Sequence, residues 1–219
     1  MTRRMLTPKP YNPPHAEALK VIHIDDAIAI IDKPSGLLSV PGRGAEKAVC
    51  AVSRLTDLGL SALTVHRLDM DTSGIMVFAQ TKAAQKSLSR QFEDRHVSKI
   101  YHAVVVGEMD EEAGTIDAAI ARFSKQRPLR HLDPEGRSAI THWQVLERCA
   151  GRTRLCLKPE TGRSHQLRLH LASIGHPIVG DVFYGHPDPS ERLHLHAQKL
   201  TLKHPETGHV LDFESPAPF

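Results

Sequence analysis

A cluster of polar side chains lies directly before an apolar segment in the first half of the chain. It consists of His66, Arg67, Asp69 and Asp71. The turn residues at 72–74 close the cluster, and residues 75–79 (IMVFA) have the composition of a buried strand. A carboxylate at the start of a strand can act as a nucleophile, but Asp69 and Asp71 could equally accept hydrogen bonds from nearby backbone amides in an Asx turn. The local pattern alone leaves both interpretations open.

Three further segments follow or precede this cluster in a fixed order. They are DKPSGLLSVPGR at 32–43, KIYHAVVVG at 99–107 and KPETGRSHQLRLHLASIGHPIVGD at 158–181. Together with HRLDMDTSG at 66–74, they resemble the motifs of the RluA-like pseudouridine synthases, and the resemblance covers nearly the whole chain. It implies the pseudouridine synthase fold, an α+β class in which a bent, mainly antiparallel sheet with flanking helices lines a central catalytic cleft.

The resemblance also implies roles for individual residues. Asp69 matches the catalytic aspartate, Tyr101 matches a tyrosine that stacks on the target base, and Arg163 matches an arginine that pairs with the aspartate. Arg67 matches an arginine that fills the gap left by a flipped nucleotide, and Leu195 matches a position that packs against the base. Simpler roles stay open: Tyr101 could belong to the core, and Arg67 could contact a phosphate or form a structural salt bridge.

Basic residues are concentrated in one part of the chain. The net charge is only +3, but residues 122–168 contain eleven Lys and Arg against four Asp and Glu. This concentration favours RNA as the partner, although solvated basic loops are common. The segment 122–137 lacks a persistent period and predicts a mobile basic loop that clamps phosphates. The expected RNA-binding residues are Arg67, His66, Arg127, Arg130, Arg168 and Leu195.

Hydrophobic periodicity predicts the elements that position these residues. Strands are predicted within 21–32 on both sides of a turn, at 74–80, at 99–107 and in a hairpin that turns at Ala150 and Gly151. Helices are predicted at 45–58, from the N-cap Thr81 to about Arg95, and from the N-cap Ser164 to Gly175. The last helix would place Arg163 at its positive end, which attracts a carboxylate or a phosphate. Phosphate binding by Arg163 and Arg168 is therefore the alternative to an ion pair with Asp69.

Cysteine and histidine patterns argue against a metal site. Cys50, Cys149 and Cys156 are an odd number without a CxxC pair, which disfavours both a disulfide framework and a thiolate zinc site. His194 and His196 have a spacing that zinc sites use, but no third ligand is identifiable, and the family needs no metal. We expect no metal and no cofactor.

The N-terminal segment has early positive charge and four prolines instead of an apolar core, and no run approaches membrane-spanning length. We expect an extended basic arm at 1–14 and a single catalytic domain at 15–219, without a separate N-terminal RNA-binding module. A cytoplasmic monomer that contacts no membrane is the expectation.

The expected reaction is the isomerisation of uridines to pseudouridines in structured RNA loops. The resemblance implies 23S rRNA, the tRNA anticodon stem-loop or both as substrates. Two rivals are weighed against this prediction. A catalytically silent RNA-binding protein is disfavoured because Asp69, Tyr101 and Arg163 all match, and an N-glycosidase that pairs Asp69 with Asp71 or Asp181 lacks aromatic sugar platforms.

Overall fold

The computed structural model describes residues 10–123, 129–185 and 191–219. The described ranges contain three α-helices, α1 (Ala51–Asp57), α2 (Lys82–Glu93) and α3 (Gln166–Ser173). They also contain twelve strands: β1 (Lys20–Ile24), β2 (Ile28–Lys33), β3 (Leu63–Thr64), β4 (Ser73–Ala79), β5 (Ser98–Val106), β6 (Ala113–Asp117), β7 (Ile120–Arg122), β8 (Arg130–Leu132), β9 (Ile140–Cys149), β10 (Arg152–Pro159), β11 (Leu195–Lys203) and β12 (Val210–Glu214).

Ten of these strands form one sheet. Eight follow the order β1-β2-β4-β11-β5-β10-β9-β6, while β12 pairs with β11 and β3 pairs with β4. Among the described strand pairs, only β4 and β11 run parallel. β7 and β8 form a separate two-stranded ribbon. The predicted α+β class with a mainly antiparallel sheet is confirmed.

One half of the sheet is covered on both faces. All seven residues of β4 are buried. Its side chains alternate between two clusters: Val77 packs with Leu88 of α2, and Phe78 packs with Leu55 of α1. Each large apolar side chain buried in this way contributes about 1.5–3 kcal/mol. A strand between two helices has no polar face, which explains the continuous apolar run at 75–79.

The other half of the sheet is covered on one face only. Leu167 and Leu171 of α3 pack with Ala103 of β5, Leu155 of β10 and Trp143 of β9. The residues between these positions on β10 are exposed or half-buried, so burial alternates along the strand. This alternation is the pattern that predicted β5 and the hairpin of β9 and β10.

Gly74 joins the two halves where β4 meets β11. Its φ of 111° is a backbone angle that residues with a side chain rarely adopt. A Cβ at this position would lie 2.6 Å from the backbone nitrogen of Ala197. Only glycine permits this close approach. Ala197 in turn pairs with Tyr101 of β5. The turn after Asp69 is therefore held beside Tyr101 by two adjacent strand pairings.

Two predicted segments differ from the structure. The helix expected at 45–58 is a 3-10 turn at Ala45–Lys47 followed by the shorter α1, because Cys50 caps a new start through a bond from Ser53 N. The described parts of the segment 122–137 are less irregular than predicted, since β8 pairs with β7 and Ile120 bridges to Arg137, while 124–128 lie outside the described residues.

The described end of the expected arm at 1–14 packs on the domain. Tyr11 donates its hydroxyl proton to Val49 O at 2.9 Å and accepts from Leu38 N at 3.1 Å. Arg54 of α1 donates to the carbonyls of Pro14 and His15. Residues 10–14 thus lie against α1 and the segment before it. None of the described helices is long and apolar enough to cross a membrane.

Candidate active site

A cleft of about 560 Å³ opens where the two halves of the sheet meet. Its walls come from the loop at 65–72, from β5, from the start of β11 and from residues 159–168. Seven of the nine residues that the sequence singled out for the site line it: His66, Arg67, Asp69, Tyr101, Arg163, Arg168 and Leu195. The chain therefore brings its distinctive motifs to one place.

A buried lysine supports the backbone of the loop that carries Asp69. Lys33, at the end of β2, has no exposed side-chain surface. Its ammonium donates to Pro34 O at 2.9 Å, Leu37 O at 2.8 Å and Met70 O at 3.0 Å, which uses all three donors. Burial lowers the pKa of Lys33 to about 7, although nearby carboxylates, Asp71 first, oppose the shift. The DKPSGLLSV motif thus places a buried lysine, held by three backbone carbonyls, beneath the loop.

Two serines of the same motif hold neighbouring parts of the loop. Ser35 donates its hydroxyl proton to Asp71 O at 2.7 Å. Ser39 donates to Leu68 O at 2.7 Å and accepts from Leu68 N at 3.2 Å. Hydrogen bonds on both sides of Asp69 fix its backbone, so the position of its carboxylate follows from the motif at 32–43.

The carboxylate of Asp69 faces a buried arginine. Arg168 Nη1 lies 3.4 Å from Asp69 Oδ2, and the Asp69 side chain is 22% exposed. The Nε and Nη2 atoms of Arg168 each lie 2.7 Å from an oxygen of Asp181, in a two-pronged ion pair. Asp181 is itself oriented, since its Oδ1 accepts from the amides of Phe183 and Tyr184. Asp181 thus fixes the direction in which Arg168 presents Nη1.

The charges of this group are fixed by their mutual contacts. Burial alone would lower the pKa of Arg168, but the hydrogen bonds and charge of Asp181, followed by Asp69 and Asp71, raise it. Burial alone would raise the pKa of Asp181, but the hydrogen bonds from Arg168 lower it. Burial raises the pKa of Asp71, although the positive charges of Arg168 and Lys33 oppose the rise. Arg168 is therefore a permanent positive charge beside Asp69.

The predicted ion pair between Arg163 and Asp69 is wrong, since Arg168 occupies that position. Arg163 Nε donates to Ser138 O at 3.0 Å, at the rim of the cleft. The predicted N-cap is also wrong, because α3 begins one residue later, after His165. Arg168 lies within α3 next to Leu167, is 2% exposed and lines the cleft.

Gln166 explains why the loop before α3 has this course. Its oxygen accepts from Thr161 Oγ1 at 2.7 Å and from Arg163 N at 3.0 Å. Its nitrogen donates to Ile140 O at 2.9 Å and Thr141 Oγ1 at 3.0 Å. A buried amide with all four positions satisfied ties the loop to β9. The Arg163 side chain is therefore directed to the rim instead of to Asp69.

Tyr101 and Leu195 supply apolar surface on the same side of the cleft as Asp69. Tyr101 packs between two core clusters and lines the cleft. Burial, and then the charge of Asp69, raise the pKa of Tyr101, so its hydroxyl stays protonated. Leu195 is 3% exposed and lines the cleft from β11. These positions are compatible with the roles that the motifs imply.

His66 and Arg67 differ in how firmly they are held. His66 Nε2 accepts from Val77 N at 3.0 Å, and its ring stacks on Phe92 at 4.6 Å. Burial lowers the pKa of His66 to about 3, so the ring is neutral and offers no cation to RNA. Arg67 is exposed, and its only hydrogen bond among the described residues is a long one to Ser164 Oγ at 3.4 Å. Arg67 therefore lines the cleft as an exposed side chain with one weak contact.

The described basic residues of the stretch at 122–168 do not form one surface. Arg148 pairs with Glu112 at 2.8 Å and Arg152 pairs with Glu191 at 2.9 Å, and neither lines the cleft. Arg130 lies at the start of β8, where its backbone N–H donates to the Tyr184 hydroxyl at 2.9 Å. Arg127, predicted to contact phosphates, lies outside the described residues.

Three cationic rim residues were missed by the sequence reasoning. Arg95, Lys99 and Arg137 line the cleft beside Arg163. Partial burial, followed by the repulsion of the positive charges of Arg137 and Arg95, lowers the pKa of Arg163. The sequence held one signal, since Lys99 opens the KIYHAVVVG motif on the same strand face as Tyr101.

The two histidines weighed as metal ligands have other partners. His196 Nδ1 lies 2.8 Å from Ser73 Oγ, and its Nε2 lies 3.0 Å from Ser215 O. The ring of His194 stacks on Phe219 at 4.7 Å. Within the described ranges, no group of three or more His, Cys, Asp and Glu side chains could hold a metal ion.

The fold agrees with comparisons to known proteins. The RNA pseudouridylate synthase family matches residues 27–173, which include the whole of the Asp69 loop, β5 and α3. The chain belongs to this family.

Individual relatives match nearly end to end. The dual-specificity RNA pseudouridine synthase RluA of Haemophilus influenzae is 44% identical over 214 residues, covering 95% of this chain and 98% of that protein. RluA of Escherichia coli strain K12 is also 44% identical, with the same coverage. RluA of Yersinia pestis is 46% identical over 204 residues, covering 91% and 99%.

Solved structures show the same fold. Human RNA pseudouridylate synthase domain containing 1 superposes with a TM-score of 0.79 at 29% identity, covering 95% of this chain and 87% of that one. Human RNA pseudouridylate synthase domain containing 4 superposes with a TM-score of 0.75 at 27% identity, covering 93% of this chain and 91% of that one. The predicted pseudouridine synthase fold is confirmed.

Proposed function

We propose that this chain converts uridine to pseudouridine in hairpin loops of both ribosomal RNA and transfer RNA, with Asp69 as the catalytic carboxylate. The observation that carries the proposal is the position of Asp69. Its carboxylate lies in the cleft beside a buried arginine and close to the apolar surfaces of Tyr101 and Leu195. The dual choice of substrate rests on similarity to relatives described as dual-specificity enzymes.

The reaction needs few groups, and the cleft contains them. The glycosidic bond between C1′ and N1 breaks, the uracil turns, and a new bond joins C1′ to C5. C5 loses its proton and N1 gains one, so the net reaction is an isomerisation without redox change. An ionised carboxylate can attack the ribose or remove a proton from it, and the positive charge of Arg168 favours the ionised form of Asp69 in either role.

The detached uracil must stay in place until the new bond forms. The ring of Tyr101 offers a flat surface for stacking, which is worth about 1–3 kcal/mol per base and does not depend on base identity. Leu195 covers an adjacent part of the pocket from β11. A pocket with these walls excludes water and prevents loss of free uracil.

The rim can hold the RNA while one nucleotide leaves its stack. Arg163, Arg95 and Arg137 form a crowded cationic group on one side, which phosphates would neutralise. Arg67 lies at the mouth and has the reach to fill the gap left by the flipped base. Arg127 and Arg130 stay predicted phosphate contacts, and we propose Arg163 as a phosphate contact instead of the partner of Asp69.

A conversion assay with purified protein tests the proposal. An anticodon stem-loop and a 23S rRNA hairpin are incubated separately with the chain, and pseudouridine is mapped in each while free uracil is measured. Pseudouridine in both RNAs without free uracil is the expected result. Release of uracil would instead identify an N-glycosidase, and binding without either product would identify a silent RNA-binding protein. We further propose that the enzyme acts as a monomer in the cytoplasm, where both RNA classes are found.

A further inference from the structure

A chain of polar contacts connects the β7–β8 ribbon to the carboxylate of Asp69. The backbone N–H of Arg130, in β8, donates to the Tyr184 hydroxyl oxygen at 2.9 Å. That oxygen lies 2.9 Å from Nδ1 of His165, and Nε2 of His165 lies 3.8 Å from Asp69 Oδ2. The contacts therefore run from a ribbon outside the main sheet to the cleft floor.

The protons available to these groups give the series of polar contacts a direction. The Tyr184 oxygen accepts from Arg130, and no acceptor for its own proton other than His165 is found in the part of the chain that the structure describes. A hydroxyl proton donated to Nδ1 requires a lone pair on that nitrogen. The single N–H of a neutral imidazole then lies on Nε2, which faces Asp69.

The surroundings of His165 keep its ring neutral and immobile. Its side chain is 8% exposed and stacks on Phe183 at 5.6 Å with an interplanar angle of 10°. Burial lowers the pKa of His165 to about 4. The negative charge of Asp69 opposes this shift, but the positive charges of Arg168 and Arg130 counter Asp69. Asp181 is the remaining charged group that faces the ring. At neutral pH the ring is a donor at one nitrogen and an acceptor at the other.

The backbone of His165 is strained in a way that favours a functional role. Its φ of 58° and ψ of 17° are left-handed, and it precedes α3 without a side-chain cap hydrogen bond. This conformation costs a side-chain-bearing residue about 1–2 kcal/mol. The strain directs the ring away from the helix end and toward Asp69 and Tyr184, and such outliers cluster at functional sites.

We propose that His165 is a positioning residue, which donates from Nε2 to the Asp69 carboxylate, and that Tyr184, held by the β7–β8 ribbon, sets the tautomer that makes this possible. The proposal rests on the proposed function, because Asp69 is taken as the catalytic carboxylate. The present separation of 3.8 Å is longer than a hydrogen bond. Catalytic contacts often tighten in the substrate complex, so RNA gripped by the ribbon would complete this one.

Two pairs of variants test the proposal by single-turnover kinetics and RNA affinity. Tyr184→Phe keeps the aromatic ring and its contacts with His165, Phe183 and Arg168, and removes only the hydroxyl. Tyr11→Phe is the control, because it removes a hydroxyl with two similar hydrogen bonds outside the cleft. We expect Tyr184→Phe to slow the chemical step about 10- to 100-fold, as misplacement of a reacting group does. Its RNA affinity should be unchanged, and Tyr11→Phe should match the original chain in both measurements.

The second pair, His165→Gln and His165→Asn, compares side-chain amides of different length. The amide nitrogen of Gln can take the place of Nε2, whereas Asn is too short to reach it. His165→Gln should therefore retain more of the single-turnover rate than His165→Asn, although Asn tolerates the left-handed backbone better. Equal rates in all variants, or rate losses matched by equal losses of RNA affinity, would overturn the proposal.

The tautomer can be measured without any activity. Nitrogen NMR of isotope-labelled histidine should show a neutral His165 with its proton on Nε2, and Tyr184→Phe should shift the ring toward a tautomer mixture. A proton on Nδ1 would overturn this inference even if pseudouridine is formed. Absence of pseudouridine from the original chain with the expected tautomer present would overturn the proposed function and, with it, the positioning role of His165.

Discussion

Asp181→Asn is expected to destabilise the protein strongly, because it leaves a buried guanidinium without its main partner. Arg168 is 2% exposed and Asp181 is 1% exposed. The two hydrogen bonds between them are 2.7 Å long. Asn keeps the size of the side chain and removes the charge. Breaking a buried ion pair by removing one partner costs about 3–5 kcal/mol. Proteins have a free energy of unfolding of about 5–15 kcal/mol, so this is a large part of the total.

Urea unfolding followed by fluorescence measures this loss. Trp143 is the single tryptophan and is 7% exposed in the core, so its emission reports the unfolding of the half of the sheet that contacts α3. The expected loss corresponds to a fall in Tm of roughly 6–20 °C for a domain of this size. Glu112→Gln is the matched control, since Glu112 and Arg148 are 2.8 Å apart but Glu112 is 78% exposed. It should cost less than about 1 kcal/mol.

The pH dependence gives a second check on the same ion pair. Contacts with Arg168 hold the pKa of Asp181 below its ordinary value. A carboxylate with a lowered pKa stabilises the folded state above its unfolded pKa of about 3.9, and this stabilisation is lost as the pH falls through the folded pKa. The difference between the original chain and Asp181→Asn should therefore shrink below about pH 4. Equal losses for Asp181→Asn and Glu112→Gln, or a difference that does not change with pH, would refute the reasoning.

Three further predictions concern single positions. Gly74→Ala should lower the free energy of unfolding, measured in urea, by well over ~1–2 kcal/mol, because the added Cβ would contact the backbone of Ala197. Gly208→Ala is the control: its φ is 72° but its surroundings are open, so it should cost only the ~1–2 kcal/mol of a side chain in a left-handed conformation. The pKa of His66 is about 3 in the folded state, against about 6.5 in the unfolded state. Between these two pH values only the unfolded state binds the proton, so the free energy of unfolding should fall progressively as the pH is lowered from about 6.5 to 3. His66→Gln should flatten that part of the curve, and an unchanged slope would contradict the assignment. Arg67→Ala should slow turnover more on a structured hairpin than on a short single strand, because a wedge matters only where a stack must open, and equal losses would favour a purely electrostatic role.

Local sequence rules predicted the elements whose burial follows one simple period. Thr81 caps α2 as expected, since its side chain accepts from Ala84 N at 3.1 Å. The hairpin of β9 and β10 turns at Ala150 and Gly151, both with positive φ. β4 was predicted because a strand buried on both faces is apolar throughout. In these cases neighbouring residues alone determine the structure.

The partner of Asp69 could not be predicted by the same rules, because it depends on contacts across the fold. The family resemblance was carried onto Arg163 at the expected helix end, but Arg163 lies at the rim in the structure. Arg168 is charged but lies next to Leu167, in the buried part of α3, where a charge requires a partner. That partner, Asp181, is thirteen residues further along the chain. The pattern held a signal, but only the fold identifies the pair.

The support of the Asp69 loop was also hidden from local reasoning. The segment at 32–43 contains prolines and glycines, which disfavour regular structure and give no hydrophobic period. In the structure Lys33 and Ser39 satisfy backbone groups of the Asp69 loop more than twenty-five residues away. A buried lysine at the end of a strand cannot be inferred from hydrophobic period. The resemblance of this segment to a family motif was the one indication of its importance.

Asp69→Asn tests the central claim most directly. The substitution preserves size and removes the charge, so the fold and the phosphate contacts should survive while the chemistry stops. Pseudouridine formation and RNA affinity are measured on the same preparation. We predict RNA bound with nearly the original affinity and no detectable pseudouridine. Appreciable turnover would contradict the assignment of Asp69, and loss of affinity equal to the loss of turnover would leave the protein an RNA binder with no demonstrated catalytic carboxylate.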